Sequence, residues 1–260
     1  MAARGLPVFC EKPLAVGLEP ARAMVAAVER AGVVNQVGLV LRDSPDFRLL
    51  RHLVAQPASG RPMSVVFRDD QYIPIQGQYG STWRSDPELA GSGALLEHSI
   101  HDVDILEWML GPITSVSAAS AEFHGIVGIE DAVSATLRFA SGAVGSLVSV
   151  WHDLLERPSL RRVEVFCENA YCWVDDDEAA LVQWTRADGR GSVARADQVQ
   201  ALADAGLELR NPDRAFIEAV ATGTPATPDF ATALRAHVVT DALYRSAAAG
   251  GTSVEVPLPG

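Results

Sequence analysis

Residues 91–111, GSGALLEHSIHDVDILEWMLG, determine how the rest of the chain is interpreted. The stretch opens with small residues and reaches Gly111-Pro112, so the pattern predicts one helix that stops at Gly111. With about 3.6 residues per turn, one face of this helix is an apolar stripe. The stripe consists of Leu96, Ile100, Val103, Leu106 and Leu110.

Three ionisable residues follow one another along the same helix at one-turn spacing. Glu97, His101 and Asp104 fall within roughly 60° of each other on a helical wheel. A carboxylate, an imidazole and a second carboxylate in this order are suited to proton transfer. The ordinary alternative is that these residues form the solvated face of the helix.

The opposite side of the helix argues against a purely solvated face. Ile105 and Met109 lie there beside His98 and Asp102, so no side is entirely polar. A helix that is apolar on several sides is mostly buried. Because buried ionisable groups cost free energy unless they are paired or used, the pattern favours a functional cluster.

Composition places the chain among ordinary globular proteins and excludes some partners. It has 260 residues, of which 48% are hydrophobic and 21% charged, and its formal charge is −12. This charge argues against binding nucleic acid or an anionic membrane surface. No apolar run reaches the ~18 residues of a membrane span, and the first residues lack a signal-peptide pattern. Three cysteines without metal-finger spacing predict reduced thiols and a cytoplasmic location.

The first forty residues have a strand–helix–strand pattern. Residues 7–10 predict a buried parallel strand, which ends in the polar turn Glu11-Lys12-Pro13. A helix is predicted from about Glu19 to Gly32, and a second strand over residues 33–41. This arrangement is typical of the last part of a parallel β/α domain.

Before the helix of residues 91–111, a helix begins at Ser44-Pro45, a strand covers residues 63–67, and a polar loop covers residues 69–92 and carries Trp83-Arg84.

Strand patterns dominate the chain after the helix of residues 91–111. After it, strands are predicted over 113–123, 132–139, 143–151, 163–167, 171–174 and 181–184. The acidic residues 175–178 predict a solvated turn, and residues 187–205 a loop with a short helix. Helices over 213–221 and 230–248 and an edge strand over 253–256 complete the pattern.

The strands predict an open sheet that the available helices cover on one face only. Strand alternation across Ser141-Gly142 predicts a more apolar face formed by Val133, Leu137, Phe139, Val144, Val148 and Val150. An uncovered, partly apolar sheet face tends to bind a partner. We therefore expect a homodimer or a higher homo-oligomer.

Two motifs occur together, and their order carries a family resemblance. Glu11-Lys12-Pro13 follows a strand, and Gly91-x-Gly93 is followed by Glu97-x-x-x-His101-x-x-Asp104. This combination resembles the Gfo/Idh/MocA family of NAD(P)-dependent oxidoreductases, which includes glucose–fructose oxidoreductase and inositol dehydrogenases. Gly128-Ile129-Glu130-Asp131 and the spacing of Phe216, Pro225, Pro228 and Ala233 extend the resemblance over almost the whole chain.

The resemblance implies a two-domain α/β and α+β fold. Residues 1–42 would be the C-terminal remnant of a parallel Rossmann sheet that binds the dinucleotide. Residues 43–260 would form an open, mainly antiparallel sheet domain with flanking helices, which binds substrate and takes part in oligomerisation. Family members often pair through this sheet.

The resemblance also implies site residues. Glu11, Lys12 and Pro13 correspond to the family's cofactor-binding motif, whose lysine approaches the nicotinamide and substrate and whose Lys–Pro bond is cis in many members. His101 corresponds to the catalytic histidine, and Glu97 stands where the family usually has Asp. Lys12, Glu97 and His101 are therefore the expected catalytic residues. Residue types and helix positions, rather than the resemblance, add His98, Trp83, Arg84 and Asp104 as expected substrate-binding residues; for His98 the alternative is a hydrogen-bonded structural histidine.

These residue types suit hydride transfer between NAD or NADP and a secondary hydroxyl of a sugar, inositol or related polyol. A histidine titrates near neutral pH, so His101 is suited to accept the hydroxyl proton. Lys12 would place positive charge beside the developing alkoxide. Glu97 would either orient the imidazole or bind a neighbouring hydroxyl group.

The chain lacks one motif that the family uses for the cofactor. No Gly-x-Gly-x-x-Gly sequence occurs; Gly189-x-Gly191, for example, has no third glycine. We therefore expect about a hundred residues of cofactor domain before Met1, or else a truncated homologue. On either view we expect the 260-residue chain to bind NAD(H) and NADP(H) poorly, with residues 1–40 as its least stable part.

Two alternatives of other classes remain open at this point. One is a non-catalytic homologue that binds polyols or only oligomerises. The other is a metal-dependent hydrolase or isomerase, in which His98, His101, Glu97 and Asp104 would supply ligands. The oxidoreductase interpretation itself predicts no metal site.

Overall fold

The computed structural model describes residues 1–75, 80–154, 156–175 and 181–259. Its α-helices are α1 Leu18–Ala31, α2 Pro45–Ala55, α3 Pro87–Ala90, α4 Ile100–Leu110, α5 Gln198–Asp204, α6 Pro212–Thr222 and α7 Phe230–Ala248. Its strands are β1 Val8–Cys10, β2 Asn35–Val37, β3 Pro62–Tyr72, β4 Ile113–Ala121, β5 Ala132–Phe139, β6 Val144–His152, β7 Leu160–Cys167, β8 Ala170–Asp175, β9 Leu181–Arg186, β10 Gly189–Val193 and β11 Val254–Glu255.

The N-terminal unit is a two-stranded parallel sheet with one crossover helix. β1 pairs with β2 in parallel, and α1 connects them, which confirms the predicted strand–helix–strand order. The predicted strand over 33–41 is wrong in length, because β2 has only three residues and a 3-10 turn, Val40–Asp43, follows. β1 is half-buried rather than buried, since β2 is the only strand it pairs with among the described residues.

The N-terminal unit packs against the C-terminal helices. Phe230 and Ala233 of α7 belong to the same buried apolar cluster as Val25 and Val37. Phe9 lies edge-on to Phe216 of α6, with 5.6 Å between the ring centroids. The start of α7 therefore contributes to the core of residues 1–42, and the division at residue 42 stays a prediction.

The second unit is a nine-stranded sheet in the order β10-β9-β8-β7-β3-β6-β5-β4-β11. β3 and β6 are parallel and the other neighbours are antiparallel, so the prediction of a mainly antiparallel sheet is confirmed. β10 lies where a loop was predicted; it has three glycine or serine residues, which are depleted in strand patterns. β3 runs five residues beyond the predicted strand because its polar end, Arg68–Tyr72, still pairs with β6 and β7.

The predicted faces of the β5–β6 hairpin are wrong. Val133 lies opposite Ser149, and Leu137 lies opposite Gly145, so Val144, Val148 and Val150 face the other way. The buried face carries Val133, Ala135, Leu137, Phe139, Gly145, Leu147, Ser149 and Trp151. The turn register, rather than hydrophobicity, decides which residues share a face, because a one-residue shift exchanges the two faces.

Three helices cover the buried face of the sheet. α2 packs over β8 and β9, α4 over β3, and α7 over β4. Of the predicted acidic turn, residues 176–178 lie outside the described residues, while Asp175 ends β8 and pairs with Arg162 at 2.9 Å. Across the described parts of the chain, none of the helices combines the length and the hydropathy that crossing a membrane requires. All three cysteines are free thiols.

Candidate active site

The predicted single helix of residues 91–111 consists of two pieces. Ala94–His98 forms a π-helical turn, and α4 begins at Ile100. The Ser99 N–H donates to the Ala94 carbonyl, five residues earlier, at 2.9 Å. This wider turn rotates everything after Ser99 relative to Glu97, so Asp104 does not follow Glu97 along one line.

The start of the π-helical turn is held by two residues that are distant in sequence. The Glu130 carboxylate accepts the N–H groups of Gly93 at 2.7 Å and Leu95 at 2.9 Å. The Tyr244 hydroxyl accepts from Leu96 N–H at 3.1 Å and donates to Glu130 at 2.8 Å. These bonds satisfy backbone donors that a helix start otherwise leaves unpaired. The turn that carries Glu97 and His98 is therefore fixed from its N-terminal end.

Lys12 and Glu97 form the centre of the cluster. Lys12 Nζ donates to the Glu97 carbonyl and lies 3.5 Å from its carboxylate Oε1. Arg84 Nε donates to the same Oε1 at 3.0 Å. Burial raises the pKa of Glu97, but Lys12 and Arg84 outweigh it and hold that pKa below its ordinary value. Burial lowers the pKa of Lys12, and the Glu97 charge opposes this effect.

His101 lies beside this cluster, close enough for the Lys12 charge to affect its pKa. It is 7% exposed, and its Nδ1 is buried with no partner among the described residues. Burial, followed by the charges of Lys12 and Arg161, lowers its pKa well below 6.5. The imidazole is therefore neutral near pH 7 and able to accept a proton. Glu97 contacts Lys12 and Arg84 rather than His101, so the structure does not show the predicted orientation of His101 by Glu97.

His98 belongs to a buried polar network under the cluster. Its Nε2 lies 2.9 Å from Arg161 Nη2 and 3.0 Å from Asp69 Oδ2. Arg161 also lies 3.0 Å from Asp69 and 3.3 Å from Asp102. Burial and the neighbouring Arg161 charge lower the pKa of His98 to about 3, so its ring is neutral.

Asp104 pairs with Arg42 rather than with Lys12 or Arg84. Both Asp104 oxygens accept from Arg42, each at 2.7 Å, and the carboxylate is buried. This bidentate ion pair ties α4 to the 3-10 turn that precedes α2. Both oxygens of Asp104 thus have a structural partner, and its contact with substrate stays a prediction.

Trp83 and the cofactor motif lie at the borders of the cluster. Trp83 is 42% exposed, and the Arg84 guanidinium stacks on its ring, 4.5 Å from the centroid. The Lys12-Pro13 peptide bond is cis, as the resemblance implied. Glu11 lies over Gly38 at the carboxyl ends of β1 and β2, where a Cβ on Gly38 would lie 2.5 Å from its Oε2. Ligands of open parallel sheets bind at this edge.

The sequence analysis assigns no role to five residues that shape the site: Asp69, Asp102, Arg161, Glu130 and Tyr244. Asp69 and Arg161 lie on strands predicted too short, and nothing local links them to the helix. Glu130 belongs to the Gly128–Asp131 motif that supports the family resemblance, but the sequence does not indicate what Glu130 does. Among the described residues, no group of three or more His, Cys, Asp or Glu side chains is placed to hold a metal ion. The metal-dependent alternative therefore gains no support.

Comparison with solved structures shows which class of protein has this fold. Levoglucosan dehydrogenase in complex with NADH and levoglucosan superposes on 99% of this chain and 75% of its own, with a TM-score of 0.83 and 25% identity. A dehydrogenase from Bordetella pertussis, WlbA, in complex with NADH and UDP-GlcNAcA, superposes with a TM-score of 0.84 and 25% identity over 99% of this chain and 75% of its own. The architecture is thus that of nicotinamide-dependent oxidoreductases.

Residues 47–172 match the family model of the GFO/IDH/MocA C-terminal domain. The 1,5-anhydro-D-fructose reductase of Ensifer adhaerens is 37% identical over 57% of this chain and 43% of its own length. Inositol 2-dehydrogenase 2 of Paenarthrobacter aurescens is 29% identical over 96% of this chain and 73% of its own. The chain spans less than half the length of the first of these relatives. The resemblance inferred from the motifs is confirmed.

Proposed function

We propose that this chain carries the substrate-binding and proton-transfer half of an NAD(P)-dependent oxidoreductase that acts on a secondary hydroxyl of a sugar, inositol or related polyol. The observation that carries the proposal is His101, a buried, neutral imidazole that lies near Lys12 and whose Nδ1 has no hydrogen-bond partner within the described part of the chain. An unpaired buried polar atom costs free energy and is retained where a ligand supplies its partner. The dehydrogenase and reductase names of the relatives agree with this function.

The reaction assigns separate tasks to the clustered side chains. Neutral His101 accepts the hydroxyl proton as the alcohol is oxidised and returns it in the reverse direction. Lys12 donates a hydrogen bond to the same oxygen and stabilises the alkoxide charge that develops on it. Arg84 and Arg161 add positive charge nearby, since both lower the pKa of Lys12. Glu97 holds Lys12 and Arg84 in position, and its buried charge keeps both cations in the site.

The cofactor fits at one end of this cluster. Glu11, Lys12 and Pro13 follow β1 at the carboxyl edge of the parallel pair, next to the close approach of Glu11 to Gly38. When bound there, a nicotinamide would accept the hydride that the alcohol carbon loses. The substrate hydroxyls would lie against His98 and Arg84, with Trp83 offering a stacking face. Both NAD and NADP agree with these residues.

The assay that tests the function uses the protein as its complete gene encodes it. We expect NAD(P)⁺-dependent oxidation of at least one cyclic polyol or sugar, followed by the absorbance of the reduced cofactor. If no polyol or sugar is turned over while several bind in calorimetry, the non-catalytic polyol-binding alternative is correct. Three free thiols also lead us to propose a cytoplasmic location.

The isolated 260-residue chain should bind NADH weakly. Its residues do not include the Gly-x-Gly-x-x-Gly turn, whose backbone N–H groups hold the pyrophosphate in dinucleotide-binding folds. Lys12 supplies a single cationic contact at the nicotinamide end. A fluorescence titration of the purified chain should show no saturation at low micromolar NADH. Saturation in that range would mean that other residues hold the pyrophosphate.

The uncovered face of the large sheet supports the expected homo-oligomer. Val66, Val144 and Phe166 are each 40% exposed on this face, and Tyr171 stacks on Trp173 with 4.5 Å between centroids. We expect sedimentation at micromolar concentration to show a dimer or a larger species. Phe166→Asp should shift the protein toward monomer, because it buries a charge in the proposed interface. Val199→Asp, at an exposed position of α5, is the matched control and should not. A wild-type monomer under these conditions contradicts the proposal.

A further inference from the structure

The network beneath the cluster connects four elements through one guanidinium. Arg161 lies on β7, directly opposite Asp69 of β3 in the strand register. Its partners also include His98 of the π-helical turn and Asp102 of α4. Asp69 and Asp102 are 2% and 0% exposed. Arg161 thus connects both the π-helical turn and α4 to the sheet.

The charges of this network balance only if one of the two carboxyl groups is protonated. Asp69 and Asp102 lie 3.0 Å and 3.3 Å from the same Arg161 cation, which compensates one carboxylate charge but not two. Burial, followed by the neighbouring Asp69 charge, raises the pKa of Asp102 to about 8, so this carboxyl group holds the proton at neutral pH. One carboxylate then remains opposite the Arg161 cation, and His98 is neutral.

The contact between Arg161 and His98 has only one chemically consistent hydrogen-bond direction. A guanidinium has N–H donors and no acceptor, so a bond across the 2.9 Å between Arg161 Nη2 and His98 Nε2 requires a lone pair on Nε2. Nη2 also forms an ion pair with Asp69, 3.0 Å from its Oδ2. A neutral ring with a lone pair on Nε2 has its proton on Nδ1.

We propose that Arg161 is a positioning residue of the active site: it ties His98 and Asp102 to Asp69 and fixes the His98 tautomer that carries its proton on Nδ1. His98 then offers a single N–H donor, at Nδ1, to a substrate oxygen. This role rests on the proposed function, because it assumes that His98 contacts the substrate. The tautomer itself is a property of the chain and can be measured without turnover.

The first experiment measures the tautomer by NMR of the imidazole nitrogens in the ¹⁵N-labelled 260-residue chain at pH 7. The His98 signals are assigned by their loss in His98→Gln. We expect protonated Nδ1 and unprotonated Nε2 in the wild type. In Arg161→Met we expect the proton to move to Nε2, because Asp69 Oδ2 at 3.0 Å then becomes its acceptor. Arg162→Met, at the neighbouring position on the opposite sheet face, is the matched control and should leave His98 unchanged.

A wild-type His98 with its proton on Nε2 overturns the proposal, even if Arg161→Met fails to fold. So does an unchanged tautomer in folded Arg161→Met.

The second experiment is kinetic and uses the gene-encoded protein. An asparagine side-chain nitrogen lies near the place of Nδ1, and a glutamine nitrogen near that of Nε2. We therefore expect His98→Asn to keep a KM for the polyol about tenfold lower than that of His98→Gln, as one hydrogen bond of about 1.4 kcal/mol would give. Equal KM values of the two variants overturn the proposal that His98 donates to the substrate from Nδ1. If the wild type turns over no polyol, the proposed function fails, while the NMR result still decides the role of Arg161.

Discussion

His101→Ala should lower kcat for polyol oxidation by about 10²–10⁴-fold, the usual contribution of a general base. The expectation rests on a neutral imidazole whose buried Nδ1 has no partner among the described residues and whose neighbour is the Lys12 ammonium. The measurement is kcat, followed through the absorbance of the reduced cofactor, in the protein expressed from its complete gene. The binding of NADH should change less than about twofold, because no expected cofactor contact is removed. Near-normal turnover in the variant would exclude His101 as the base.

The pH dependence of kcat/KM is a second test of His101 as the general base. A general base must be unprotonated, so kcat/KM falls as the pH drops through the pKa of His101. Since burial and the Lys12 charge place this pKa well below 6.5, the acid limb should lie below pH 6.5 and be absent from the His101→Ala profile. His52→Ala is the matched control: His52 lies on α2, bonded to Gln56 at 2.9 Å, and its loss should leave the profile unchanged. An acid limb at or above pH 6.5 in the wild type would contradict the assignment.

Local patterns predicted the fold well, because most elements are bounded by ordinary helix and turn residues. Pro and Gly mark the start of α2 and both ends of α1, α6 and α7 within two residues of the predictions. The strand errors have a common cause. β3 ends in charged residues and β10 is rich in glycine, and both are strands because neighbouring strands supply hydrogen-bond partners. Single-sequence patterns contain no information about such neighbours.

The site was predictable where one segment or one family motif supplied it. Lys12, Glu97 and Arg84 come together in the structure, and His101 lies beside them. A regular helical wheel puts Asp104 in line with Glu97 because it ignores the π-helical turn at residues 94–98, and in the structure Asp104 pairs with Arg42 instead. Arg42 and Arg161 lie far from their partners in the site helix, at separations of 62 and 59 residues. Only the packing of the helix on the sheet brings such partners together.

Gly93→Ala should be strongly destabilising, because the backbone of Glu130 leaves no space for a side chain at this position. Neither the hydrophobic pattern nor the spacing of residues in the sequence predicts such a close approach. A Cβ at this position would overlap the backbone oxygen of Glu130 and lie 2.7 Å from the carbonyl carbon and nitrogen of the same residue. The backbone angles of Gly93, φ −97° and ψ −133°, lie outside the left-handed region, so the effect comes from the contact. Backbone atoms cannot turn aside as a flexible side chain can, so Glu130 must move. Its carboxylate would then lose its bonds to Gly93 and Leu95.

We expect Gly93→Ala to lower the free energy of unfolding by about 2–4 kcal/mol, the upper part of the range for overpacking plus the loss of a hydrogen bond. Chemical denaturation of the 260-residue chain measures it. Gly17→Ala is the matched control, because Gly17 also precedes a helix, has an extended backbone with φ 175°, and has no heavy atom within 4 Å of the place that an alanine Cβ would take. This control should change the unfolding free energy by less than about 0.5 kcal/mol. Equal stability of the two variants would show that Glu130 can move freely, and that the π-helical turn does not depend on it for its position.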